Sequence, residues 1–241
     1  MNKKVAFELI SDKKIFTILS EPEHSQKKIV IMSHGFRGTS TGPARSFVNF
    51  TNILIKHGFS TLRFDQPNCG NSDGEFLHVS FREWVNTITH FANKYIEAGY
   101  QVALLGQSMG ATASLIAASQ ADLKSKIKCV LLWVPDPKSD YDNHSDIIAE
   151  ENGEKYHMTF WREAKEMDFF KCLDLYTNSL HLVYGEKDKY VSDNLRLKTI
   201  QKVKDKNQKV TILKGQDHSP WEYDVSQAVF KEEIEFLKKH I

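Results

Sequence analysis

The chain has 241 residues, enough for one domain that buries a sizeable core. Lys and Arg number 32 against 31 Asp and Glu, a net charge of +1, so no overall field draws it to nucleic acid or an anionic membrane surface. Three cysteines, Cys69, Cys129 and Cys172, have no C-x-x-C spacing, which argues against a disulfide framework or a zinc ribbon and for a reducing compartment.

The N-terminus carries Lys3 and Lys4, but the apolar run after them is broken at Glu8 and again over residues 11–14. No signal-peptide core follows, and no stretch approaches the ~18 uninterrupted apolar residues of a membrane span. The expectation is a cytoplasmic protein. Residues 5–10 and 15–20 are β-rich runs joined by Ser-Asp-Lys-Lys, which predicts an opening antiparallel hairpin. Residues 28–33 centre on Ile-Val-Ile-Met, a continuous apolar run suited to a strand covered on both faces. Residues 43–57 place Phe47, Phe50 and Leu54 at helical spacing before Gly58 stops them.

The alternation then repeats. A strand is predicted over 60–65, and a helix over 80–98 with Phe81, Trp84, Val85, Ile88, Phe91 and Tyr95 on one stripe. Strands follow at 101–105 and 127–134, with an almost wholly small and apolar helix at 109–120 between them. Further strands at 180–184 and 210–213 flank a helix within 192–204. An amphipathic helix over 225–240, with Val225, Val229 and Leu237 inward, closes the chain. Strands alternating with helices predict a mostly parallel sheet covered on both faces, with the ligand site at the carboxyl ends of its strands.

Segment 135–176 breaks this rhythm, because a structureless loop of that length is unusual. We expect 1–134 and 177–241 to form the core and 135–176 a small helical cap, with 161–170 its best helix. Its aromatics either pack the cap onto the body or line a substrate pocket of the usual apolar kind, and Tyr141, Phe160 and Trp161 are the candidates for the second role.

The chemistry centres on residues 104–110, Leu-Leu-Gly-Gln-Ser-Met-Gly, which read as strand, sharp turn and helix. A serine on such a turn has an exposed Oγ above a helix N-terminus, and Gly106 and Gly110 leave room for it. A serine hydroxyl needs a base within hydrogen-bond reach and an acid to orient that base. His218 follows the 210–213 strand by a short polar loop. For the acid, Asp188 in Gly-Glu-Lys-Asp after the 180–184 strand is the stronger candidate, with Asp136 after the 127–134 strand as its rival. Glu186 reads as a surface residue, and Asp217, adjacent to His218, as pointing away from it. An oxyanion needs backbone donors, and we assign these to the N–H groups of Phe36, in His34-Gly-Phe-Arg-Gly38, and of Met109. His34 reads as a residue holding that loop, and Arg37 as solvated. With no His-Glu-x-x-His or paired Cys/His spacing, neither a metal nor another cofactor is expected.

Together with Leu62-Arg-Phe-Asp65, Gly70-Asn-Ser-Asp-Gly74 and Gly185-Glu-Lys-Asp188, these motifs resemble the α/β-hydrolase superfamily. The chain is similar in particular to the small bacterial serine esterases that include cinnamoyl and feruloyl esterases. The resemblance covers nearly the whole body, and the order Ser108, Asp188, His218 is the one it implies. It departs at Asn68, where the family commonly has glycine, although Asn tolerates the left-handed conformation. It implies an α/β-hydrolase fold and a serine hydrolase acting on a small-molecule ester. An acyl thioester or a monoacylglycerol would use the same constellation, and a non-catalytic binder could share the fold.

Overall fold

The computed structural model describes residues 1–138 and 147–241. Strands β1 (Asn2–Ile10) and β2 (Lys13–Glu21) form the expected antiparallel hairpin, closed over Ser11 and Asp12. β3 (Lys28–Ser33), β4 (Ser60–Phe64), β5 (Gln101–Gln107) and β6 (Ile127–Trp133) follow, and β9 (Ser179–Gly185) and β10 (Lys209–Leu213) complete the sheet. The eight strands run in the order β1-β2-β4-β3-β5-β6-β9-β10. β1 and β2 pair antiparallel, as do β2 and β4, and every other neighbour pair is parallel. This is the mostly parallel sheet predicted.

Period-two alternation in the inner strands divides their side chains between two apolar layers. From β3, Ile29 and Ile31 face one layer and Val30 and Met32 the other; from β5, Val102 and Leu104 oppose Ala103 and Leu105. One layer is closed by α1 (Ser46–Lys56), through Phe47, Phe50 and Leu54, and by α7 (Tyr223–His240), through Val229, Phe230 and Leu237. The other is closed by α2 (Phe81–Glu97), α3 (Met109–Ser119) and α6 (Asp193–Asp205). Each fully buried large side chain in these layers contributes about 1.5–3 kcal/mol by leaving water. Every residue of α3 is buried, so the helix behind Ser108 has no solvent face, as its uniformly small and apolar sequence requires.

In the segment expected to be a helical cap, the structure differs in two ways. First, β7 (Ile148–Glu151) and β8 (Glu154–His157) form a separate antiparallel hairpin. Asn152 and Gly153 close it with φ of 52° and 82°, and Asn-Gly between short runs is the strongest local sequence sign of such a turn. Second, the helix expected at 161–170 is two helices, α4 (Thr159–Glu166) and α5 (Phe169–Leu175). Asp168 divides them: its φ is 48°, and its carboxylate accepts from the Lys171 N–H to cap α5. The apolar spacing runs through Asp168, but its capping chemistry overrides the spacing.

The start of α2 anchors this segment. Ser80 caps α2 by accepting from the Glu83 N–H, as Ser-x-x-Glu predicts. The same hydroxyl donates to Glu163 of α4 at 2.8 Å, and the Arg82 N–H donates to that carboxylate at 3.2 Å. A carboxylate at a helix N-terminus is favoured by the unpaired N–H groups there. The result is to set Trp161, two residues earlier on α4, over the carboxyl ends of the strands.

Candidate active site

β5 runs directly into α3 through Ser108, which takes φ 55° and ψ −126°. A non-glycine residue held there stores strain of about 1–3 kcal/mol, and the surroundings enforce it. The Ser108 N–H donates to the Trp133 carbonyl at 2.8 Å, tying the turn to the end of β6. A Cβ on Gly106 would be driven into the Gly110 carbonyl and Ala111, and one on Gly110 into the carbonyls of Ser33 and His34. Both glycines are required by close backbone approach.

Asp188 and His218, on the loops after β9 and β10, meet over the sheet. The Asp188 Oδ2 accepts from His218 Nδ1 at 2.8 Å, and both residues are buried. The other carboxylate oxygen, Oδ1, accepts from the N–H groups of Tyr190 and Val191 at 2.9 and 3.1 Å. With Nδ1–H given to the carboxylate, Nε2 of the neutral ring keeps its lone pair. His218 and Ser108 line one cleft of ≈ 680 Å³, together with Phe36 and Met109.

The rival acid is engaged elsewhere. Asp136 also lines the cleft, but its carboxylate pairs with Lys138 Nζ at 2.8 Å and accepts from the Lys138 N–H at 3.1 Å. Asp217 points away from the His218 ring, accepting instead from the backbone N–H groups of His218 and Lys189 at 2.7 and 3.1 Å. The His218 N–H is the main reason its carboxyl lies below the usual range. Glu186 accepts from the Gly215 N–H at 2.8 Å on the surface.

His34 is buried and its ring is fully used: Nδ1 donates to the Gly35 carbonyl at 2.8 Å, and Nε2 accepts from the Gln66 N–H at 2.9 Å. It therefore holds the loop that carries Phe36. Burial pushes its pKa below the ordinary histidine value, opposed by the Gly35 carbonyl and the Asp65 charge. The unfolded chain takes up this proton near pH ~6.5 and the folded chain only below that, so stability falls as pH drops beneath ~6.5. The largest slope one such group can give is about 1.4 kcal/mol per pH unit. Urea midpoints between pH 5 and 7 should fall more steeply in the wild type than in His34→Asn. Equal slopes would mean that His34 titrates alike in both states.

Of the pocket aromatics expected, Trp161 lines the cleft and Phe160 does not. Phe160 is wholly buried behind it, with its ring centroid 4.9 Å from Phe36 and 5.0 Å from Trp84. Successive side chains on α4 point about 100° apart, so one aromatic packs while the next faces the cleft. Tyr141 lies outside the described residues. The cleft also takes Tyr156 and Met158 from the hairpin segment, and Tyr190, whose ring stands 5.2 Å from His218. Tyr156 and Met158 belong to the aromatic-rich 135–176 segment that sequence reading offered as pocket lining, whereas it gave Tyr190 no role, although Tyr190 lies two residues from Asp188. Arg37, expected to be solvated, clamps the hairpin through the Glu151 carboxylate at 2.9 Å and carbonyl at 3.0 Å.

In the turn after β4, Asn68 takes φ 64°, the left-handed conformation that the departure from glycine required. The three cysteines are free and buried, and burial pushes each thiol up, so they are inert in place. Among the described residues, no group of His, Cys, Asp and Glu is placed to hold a metal, and no helix is long and apolar enough to cross a membrane.

Residues 24–140 match the Hydrolase_4 family, described as serine aminopeptidase, S33. No curated protein matches the sequence. Among solved structures, the chain is similar to Est1E from Butyrivibrio proteoclasticus with ferulic acid bound, at 21% identity and a TM-score of 0.84 over 95% of this chain and 96% of that one. It is similar to the α/β hydrolase GrgF from Penicillium sp. sh18, at 16% identity and a TM-score of 0.82 over 100% and 99% of the two chains. A monoacylglycerol lipase from Paleococcus ferrophilus matches at 17% identity and a TM-score of 0.72, over 93% of this chain and 99% of that one. Sheet order, the placement of the serine turn and the similarity to these structures together give this chain the α/β-hydrolase fold.

Proposed function

We propose that the protein is a serine carboxylic-ester hydrolase acting on small to medium acyl or aromatic esters. The observation that carries the reading is the Asp188–His218 hydrogen bond, set in one cleft with the strained Ser108. His218 Nε2 takes the proton of Ser108 Oγ as that oxygen attacks the ester carbonyl, and Asp188 stabilises the imidazolium. The backbone N–H groups of Phe36 and Met109 hold the tetrahedral oxyanion, a donor role commonly worth about 2.7–4 kcal/mol each. His218 then protonates the departing alcohol, and water cleaves the acyl-enzyme by the same route.

An ester fits better than an aminopeptide. An aminopeptidase needs a free carboxylate for the substrate's ammonium group, yet both acidic residues among the described lining are already paired, Asp136 with Lys138 and Glu151 with Arg37. The proposed substrate class also agrees with the ferulic acid in Est1E and the lipase among the similar folds.

A fluorophosphonate probe should label Ser108 and lose that label in Ser108→Ala, read by intact-protein mass spectrometry. A panel of p-nitrophenyl esters from acetate to palmitate, with methyl ferulate, an acyl-CoA and an amino-acid p-nitroanilide, then assigns the class. A folded protein that takes no label and turns over none of the panel is not a serine hydrolase.

A further inference from the structure

Beside the main cleft, a second cavity of ≈ 280 Å³ is sunk between α1, the end of β6 and the chain after His218. Its surface is mainly apolar, with Trp133, Trp221, Phe230, Pro43 and Pro220 among its lining residues. No charged side chain lines it among the described residues, whereas the main cleft carries Arg37, Asp136, Lys138 and Glu151. Two cavities that differ so sharply in charge select different parts of a ligand.

They meet at the reacting residues. Gln107 precedes Ser108 and Ser219 follows His218; both side chains belong to both cavities, and Gln107 Nε2 donates to Ser219 Oγ at 3.1 Å. Pro43 lines both cavities as well, so the shared wall is built of neutral side chains, and the Gln107–Ser219 hydrogen bond in it breaks when the Ser219 hydroxyl turns about χ1. Ser46 Oγ and Trp221 Nε1, buried in the chamber's walls, have no hydrogen-bond partner among the described residues.

We propose that this chamber is a specificity pocket for a second, uncharged arm of the ester, an aromatic ring on a short chain, with the Gln107–Ser219 hydrogen bond as its partition. A cavity of about 150 Å³ already accepts benzene when its lining is apolar, so this one has room for a ring and its linker. The proposal rests on the ester-hydrolase reading and refines it by naming where one side of the substrate sits.

The test fills the chamber from two walls, with Ser226→Phe on α7 and Asn49→Leu on α1; both residues line the chamber and not the main cleft. kcat/KM is measured for p-nitrophenyl acetate against p-nitrophenyl 3-phenylpropionate, and for methyl acetate against benzyl acetate. In one series the aryl substrate should lose about tenfold or more, while its small partner stays within about twofold. The series affected identifies whether the arm belongs to the acyl or the alcohol side. Equal effects on aryl and small substrates in both variants would overturn the proposal.

A second readout does not need turnover. Methyl 3-phenylpropionate added to the Ser108→Ala protein should give a saturable change in tryptophan fluorescence, because Trp133 and Trp221 line the chamber. The change should vanish when Ser226→Phe is added, and a change that persists would place the ligand elsewhere. If Ser108 takes no fluorophosphonate but this fluorescence change is present and lost in the double variant, the esterase reading fails and the chamber stands. Normal labelling without aryl discrimination or a fluorescence change removes the chamber and leaves the esterase.

Discussion

Ser108→Ala should lower kcat for ester hydrolysis by on the order of 10⁶-fold while the protein folds normally, since loss of the nucleophile alone costs about as much as loss of a whole triad. The turn is held by the Ser108 N–H to the Trp133 carbonyl and by the two flanking glycines, none of which the substitution removes. Asp188→Asn tests the same unit through its tautomer. The two N–H groups of Tyr190 and Val191 hold an oxygen at the Oδ1 position, so an asparagine would turn its NH2 toward His218 Nδ1. Nδ1 must then accept, which puts the proton on Nε2 and leaves no lone pair for the serine. The expected loss in kcat is about 10⁴-fold. Asp136→Asn lacks this route to His218, and a loss from it equal to that from Asp188→Asn would return Asp136 as the acid.

The second large effect concerns stability. Glu233 on α7 is wholly buried; its Oε1 accepts from Trp133 Nε1 and its Oε2 from His181 Nδ1, each at 2.8 Å. His181 is itself wholly buried and meets Thr211 Oγ1 through Nε2 at 2.9 Å. One carboxylate therefore links α7 to β6 and β9. Glu233→Ala leaves two buried donors, Trp133 Nε1 and His181 Nδ1, without their hydrogen-bond acceptor, and at ~1–3 kcal/mol for each unsatisfied group the two together cost about 3–5 kcal/mol. For a chain of this size that is a fall in Tm of about 6–20 °C. Glu233→Gln keeps the volume and one acceptor oxygen and should cost less. Calorimetry or urea unfolding decides it, and a loss below about 1 kcal/mol in Glu233→Ala would show that α7 is held by its apolar face alone.

The body of the fold was legible because its signals are local. Val30, Met32, Ala103 and Leu105 alternate with residues buried on the opposite face, and a strand covered on both sides can be written in few other ways. The serine turn was legible for a related reason: Gly106 and Gly110 sit where any Cβ would strike backbone, so the motif records a steric requirement. The 135–176 segment was less legible. Its helical spacing continues through Asp168, and its hairpin depends on Asn152 and Gly153, a two-residue sign easily outweighed by the charged residues around it.

By itself, then, the amino-acid order determined the strands and helices of the body outside 135–176, the serine turn and the candidate set Ser108, Asp188, Asp136 and His218. Periodicity and steric exclusion act over a few residues, and a linear reading captures them. Only the tertiary structure decided which carboxylate meets His218, that Phe160 packs while Trp161 faces the cleft, and that a chamber lined by Trp133 and Trp221 opens beside Gln107 and Ser219. Each depends on loops after β5, β6, β9 and β10 arriving at one end of the sheet. Their distances are set by strand order and twist across the sheet, which no single stretch of sequence contains.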